Sequence, residues 1–101
     1  MSSTEPYDVQ LSPAAARAFA KLTPSDRARV RKALERLALA VARPGRMRGK
    51  TVKTIQGTRD SFHRLRVGDL RVMYDVLERD CVCLVLGIVH RRDLERWLRN
   101  R

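Results

Sequence analysis

Hydrophobic and polar residues alternate first at Tyr7, Val9 and Leu11, a two-residue period that predicts a short strand. Ser12-Pro13 then supplies an N-cap and a first helical position, because proline lacks the amide hydrogen that a helix start leaves unused. Ala15, Phe19 and Leu22 follow at i, i+4 and i+7, the apolar stripe of a short helix. Thr23-Pro24 repeats the start signal, with Asp26 three residues on in a capping-box position. Val30, Ala33, Leu34, Leu37 and Val41 mark the stripe of a longer second helix. Arg27, Arg31, Lys32, Glu35 and Arg36 fall mostly on its solvent side, and Arg43-Pro44-Gly45 stops it.

Met47 to Thr58 predicts a basic loop around an irregular strand at Val52 to Ile55. Phe62 to Tyr74 predicts a tight hairpin. Gly68-Asp69 suits a type II′ turn, whose first central position needs φ > 0. That turn sets the register: Val67 opposite Leu70, Arg66 opposite Arg71, Arg64 opposite Met73. Side chains alternate across a strand, so Leu65, Val67, Leu70, Val72 and Tyr74 share a core face. His63 falls with them. Arg64, Arg66 and Arg71 share the other face. Like charges directly opposite one another destabilise a sheet, which a polyanion lying across them would relieve. Arg79-Asp80 makes the next turn. Cys81 to Val89 is nearly continuous apolar sequence, as in a central strand covered on both faces. Asp93 is placed to cap a C-terminal helix carrying Leu94, Trp97 and Leu98.

The order is strand, helix, helix, three or four strands, helix. It predicts one α+β domain over residues 1–101, with two N-terminal helices packed on a small antiparallel sheet of three to four strands and a short C-terminal helix. Twenty-two Lys and Arg against eleven Asp and Glu leave a formal charge of +11, which suits nucleic acid or an acidic protein partner. No apolar run reaches the roughly 18–20 residues of a membrane span, and Met1 to Pro6 has no apolar signal core; a cytoplasmic location without membrane contact is expected. Cys81 and Cys83, two apart, are expected on one strand face as core residues. A lone Cys-x-Cys makes a poor zinc site, so neither metal nor cofactor is expected.

Three features together resemble the RelE/ParE superfamily of bacterial toxins. They are Leu11-Ser12-Pro13-Ala14-Ala15 after the first strand, Arg64-Leu65-Arg66-Val67-Gly68-Asp69-Leu70-Arg71-Val72-Met73-Tyr74, and Val89-His90-Arg91-Arg92-Asp93 after the apolar strand. The resemblance implies the toxin of a toxin–antitoxin pair. RelE-like members cut mRNA in the ribosomal A site, and ParE-like members poison DNA gyrase. It also implies an antitoxin encoded alongside, which the charge of this chain predicts to be acidic. The reading favoured here is ribosome-dependent, metal-independent mRNA cleavage. The alternatives are gyrase inhibition and an inactive antitoxin-binding member.

Cleavage of this kind takes a proton from a ribose 2′-OH and gives one to the departing 5′-oxygen, while positive charge stabilises the phosphorane-like transition state. On the RelE-like reading, Arg64, Arg66 and Arg71 match the basic hairpin positions and Arg91 the basic position after the last strand. Lys50, Lys53 and Arg92 are further phosphate contacts, and Trp97 is the aromatic available to stack on a base. Where the RelE pattern uses lysines in the hairpin, this chain has arginine, which stabilises charge but is a poor base near pH 7. His90 is therefore the leading acid–base candidate and His63 the second.

Overall fold

The structure is a computed structural model describing residues 5–42, 52–55 and 62–100. In chain order it runs β1 (Asp8–Leu11), α1 (Pro13–Ala20), α2 (Pro24–Val41), β2 (Val52–Ile55), β3 (Phe62–Val67), β4 (Leu70–Leu77), β5 (Val82–His90) and α3 (Leu94–Arg99). Single turns of 3-10 helix at Glu78–Asp80 and Arg91–Asp93 flank β5. The expected stop at Arg43-Pro44-Gly45, the basic loop on either side of β2, and Lys50 lie outside the described residues.

Both helix starts form as their sequences predict. Ser12 Oγ accepts from the Ala15 amide at 3.1 Å, and Thr23 Oγ1 accepts from the Asp26 amide at 3.1 Å, each filling one orphan donor of a first turn. Ser12 also donates its hydroxyl to the Leu86 carbonyl at 3.1 Å, which ties the start of α1 to β5. Arg27 reaches back and donates to the Leu22 carbonyl at 2.7 Å and the Ala20 carbonyl at 3.3 Å, closing the turn between the helices. The Tyr7 amide donates to the Ala38 carbonyl at 3.0 Å, satisfying one of the four unpaired carbonyls at the C-terminal end of α2.

The α+β class stands, and the sheet is larger than expected. Five strands lie in the order β1-β5-β4-β3-β2, and β1 pairs with β5 in parallel. The helical pair between β1 and the rest of the sheet returns the chain so that β1 runs in the same sense as β5, an outcome of crossover geometry that period-2 alternation does not encode. The hairpin follows its predicted register, with Val67 opposite Leu70, Arg66 opposite Arg71 and Arg64 opposite Met73. Gly68 takes φ +60° while Asp69 stays at negative φ, as a type II′ turn requires.

Two apolar clusters cover the two faces of the sheet. The larger lies under α1 and α2, where Val30, Leu34, Leu37 and Val41 meet Leu65, Val67, Leu70, Val72, Tyr74, Val85 and Ile88. The smaller lies under α3 on the opposite face, where Phe62 and Met73 meet Leu94, Trp97 and Leu98. The face expected to be given over to arginine is thus shared. Gly87 makes this possible: a Cβ built there would stand 2.5 Å from Trp97 Nε1, so only glycine lets the indole lie on the strand backbone.

Cys81 departs from its expected place. It precedes β5 in the left-handed region at φ 54° and is exposed, whereas Cys83 is buried in the main cluster. The turn demands the left-handed conformation, and the Cys81 carbonyl then accepts from the Asp8 amide at 2.9 Å to start the β1–β5 pairing. Asp93 makes no capping bond with its side chain. The capping contact sits three residues earlier, where the His90 ring accepts from the Arg92 amide, because the 3-10 turn runs directly into α3.

Candidate nucleic-acid interface

Hairpin register dictates where the basic side chains go. Arg64 and Arg66 project from β3 on the face that also carries Phe62, and Arg71 projects from β4 beside them. The two-residue turn fixes the register so that Arg66 and Arg71 sit directly opposite each other. The Arg71 guanidinium folds over the turn and donates to the Gly68 carbonyl at 3.0 Å and the Leu70 carbonyl at 2.9 Å. Arg91 arrives from beyond β5. Its amide donates to the Asp69 carbonyl at 2.7 Å, and its Nε stands 3.7 Å from Asp69 Oδ1. The last strand is thereby fastened to the hairpin tip.

These contacts bring four arginines around one turn. The acidity of Arg71 records the crowding: partial desolvation first, then repulsion from Arg66, Arg64 and Arg91, moves it below the ordinary arginine value, and Asp69 opposes the shift. Arg71 stays cationic near neutrality, since arginine begins from so high a value. Among the described residues Asp69 is the one carboxylate acting on this group. Such a cluster offers planar, many-donor groups in a small area, the arrangement that holds a phosphodiester bidentately and stabilises extra negative charge on it.

The other sequence candidates divide. Lys53 occupies the register position opposite Arg64 in β2. Arg92 is exposed in the 3-10 turn after β5. His90 pairs in register with Leu70, and Arg71 with Val89, so His90 stands one position out of phase with the arginines at the end of β5. Its Nδ1 accepts from the Arg92 amide at 3.2 Å, which assigns the neutral ring's proton to Nε2. His90 lines a shallow groove of about 420 Å³ with Lys21 of α1 and Arg96 and Trp97 of α3. His63 is half-buried against Tyr74, with ring centroids 5.2 Å apart. Trp97 packs edge-on to Phe62 at 5.7 Å and over Gly87, an anchoring position for α3.

Sequence reasoning missed Arg29 and undervalued Lys32 and Arg36. All three are exposed on α2 and, with Arg66, line a groove of about 300 Å³ beside the hairpin. Arg29 Nη1 stands 3.4 Å from where a Cβ on Gly68 would be. Their i, i+3, i+7 spacing was the available signal, since it places all three on one helix stripe. Among the described residues no three His, Cys, Asp or Glu side chains gather as metal ligands, and no helix is long and apolar enough to cross a membrane.

Comparison with known proteins places this geometry in context. The family model for the ParE toxin of type II toxin-antitoxin systems, parDE, matches residues 9–95. The RelBE2 toxin-antitoxin complex of Mycobacterium tuberculosis aligns at a TM-score of 0.71 and 21% identity, covering 92% of this chain and 100% of that one. The archaeal RelE-RelB complex of Pyrococcus horikoshii aligns at 0.67 and 25% identity, over 86% and 97% of the two chains. The isolated RelE toxin of E. coli aligns at 0.61 and 18% identity, over 89% and 97%. No curated protein sequence matches the chain.

Proposed function

Because the chain belongs to the ParE toxin family of type II toxin-antitoxin systems, we propose that it is a toxin that arrests translation by gripping mRNA at the ribosome and promoting its metal-independent cleavage. The observation that carries this reading is the convergence of Arg64, Arg66, Arg71 and Arg91 on one hairpin turn, with Asp69 the single carboxylate acting on Arg71 among the described residues. In the reaction the ribose 2′-oxygen bonds to the adjacent phosphorus as its proton passes to water, the bond from phosphorus to the 5′-oxygen breaks, and that oxygen takes a proton from water. The arginine cluster holds the phosphate and stabilises the charge that builds on it. His90, one position out of phase with Arg71 and with Nδ1 accepting from the Arg92 amide, is proposed to cap the turn after β5. The solved relatives from Mycobacterium and Pyrococcus are toxin-antitoxin complexes. By that likeness and by its charge of +11, this chain takes an acidic antitoxin as its inhibitor.

A second reading, gyrase inhibition without RNA cleavage, draws on the ParE toxin family model that matches residues 9–95. Primer extension on cellular mRNA after brief induction in a bacterium decides between them. Codon-phased cuts in translated regions, lost in a folded Arg71→Glu variant, are the expected result. Intact mRNA with an induced DNA-damage response would establish the gyrase reading. A folded chain giving neither arrest nor cuts would be an antitoxin-binding member without catalytic activity.

A further inference from the structure

A helix that places cations at Arg29, Lys32 and Arg36 on one stripe carries a cost. The Lys32–Arg36 pair at i, i+4 repels by a few tenths of a kcal/mol. Arg66, whose side chain leaves β3 on the other face of the sheet, also lines this groove at the hairpin rim, and no acidic side chain among the described residues lines it. Arg29 Nη1 also lies beside the hairpin turn, 3.4 Å from where a Cβ on Gly68 would be. Arg66 belongs to both features: it lines the α2 groove and acts on Arg71 in the arginine cluster. The two basic surfaces are therefore one surface, folded around the tip of the hairpin.

We infer that the α2 groove is a second phosphate track, through which an RNA strand continues past the arginine cluster and around the hairpin tip. The proposal rests on the reading of the cluster as an RNA grip, and extends it from one phosphate to a run of nucleotides. Residues 29 to 36 cover about 10 Å of helix at 1.5 Å per residue, roughly the rise of three nucleotides of one strand. Ala33 and Val67 form the apolar floor between the cations and offer no base-edge donors or acceptors. The track thus reads the backbone and not the sequence. An acidic protein segment would satisfy the charge, but the groove's small apolar floor provides little of the area on which stable protein docking depends.

The test uses the purified full chain and a fluorescein-labelled 20-nucleotide oligouridylate, with anisotropy measured across a salt series. Three variants are compared, each losing three charges and each checked for folding by circular dichroism. They are the groove variant R29Q/K32Q/R36Q, the cluster variant R64Q/R71Q/R91Q, and a control, R17Q/R79Q/R99Q, whose arginines are exposed and belong to neither the groove lining nor the cluster. The groove variant is expected to bind at least tenfold more weakly at moderate salt. Its log–log salt slope should fall by about two, at roughly 0.7 per lost contact on a single strand. The control should lose much less. A groove variant matching the control while the cluster variant loses binding would overturn the second track and leave the RNA grip standing. All three variants matching would overturn both. Retained RNA binding by the groove variant, with lost affinity for an acidic peptide, would make the groove a protein-docking surface and also overturn the track.

Discussion

Replacing Gly87 by alanine tests the packing that holds the C-terminal helix on the sheet. The new Cβ would stand 2.5, 2.6 and 2.7 Å from Nε1, Cε2 and Cζ2 of Trp97. Real side chains do not tolerate that approach, and the rigid indole cannot bend away at its end as a lysine would. Trp97 is also held on its other side, edge-on to Phe62 at 5.7 Å. The ring must move as a unit and take α3 with it. Overpacking of this kind costs about 1–3 kcal/mol. For a chain of this size that lowers the melting temperature by roughly 5–20 °C. Trp97 is the single tryptophan, so its emission reports the event directly, and a red shift at native temperature is expected. A double-mutant cycle with Trp97→Ala isolates the cause. Removing the indole creates its own cavity but also removes the clash, so Gly87→Ala should cost far less in the Trp97→Ala background. Equal costs in both backgrounds, or an unshifted emission with unchanged melting, would refute the claim that Gly87 exists to admit the ring.

Three further outcomes are expected. His90→Asn keeps an acceptor for the Arg92 amide and should retain growth arrest and stability, while His90→Ala should lose about 1 kcal/mol in denaturant unfolding; loss of arrest in a stable His90→Asn protein would restore a proton-transfer role. Tyr74→Phe should be neutral or stabilising by up to about 1–2 kcal/mol, because the Tyr74 hydroxyl is buried without a hydrogen-bond partner among the described residues; a clear loss of stability in urea melts would contradict that. Burial pushes the Cys83 thiol from its ordinary 9.0 up to about 11, with the charge of Asp75 adding to the shift, and Tyr74 is raised in the same direction. The unfolded chain releases each proton first, so the Cys83 stabilisation is complete below pH 9 and is lost as pH rises through about 11. For Cys83 this amounts to about 2–3 kcal/mol, and unfolding of Cys83→Ala across that range should show a visibly flatter pH dependence.

Local pattern was enough wherever a feature depends on neighbours in the chain. The caps at Ser12 and Thr23, the α2 stripe and the hairpin register were all legible, because each is set by residues within a few positions of one another. The register in turn told which arginines share a face. Alternation could not tell which face of the sheet α3 would cover, nor that β1 would lie parallel to β5, because both depend on how the chain crosses over the sheet. The Cys81 misplacement has the same origin: an apolar run reads as strand throughout, but the turn before it claims the first residue.

What the sequence determined by itself is the set of elements, the arginine hairpin and a surplus of positive charge, all properties of short segments. Tertiary structure decided which charges act together. Arg91 joins Arg71 only because the Asp69 carbonyl receives its amide, and Arg29 joins Arg66 only because α2 crosses the hairpin tip. It also set His90 one position out of phase with Arg71, by the register of a single residue pair, Leu70 with His90. Side chains on a strand alternate, so one position of register moves a group through the full thickness of the sheet. Only the paired strands establish which side of the sheet such a group reaches.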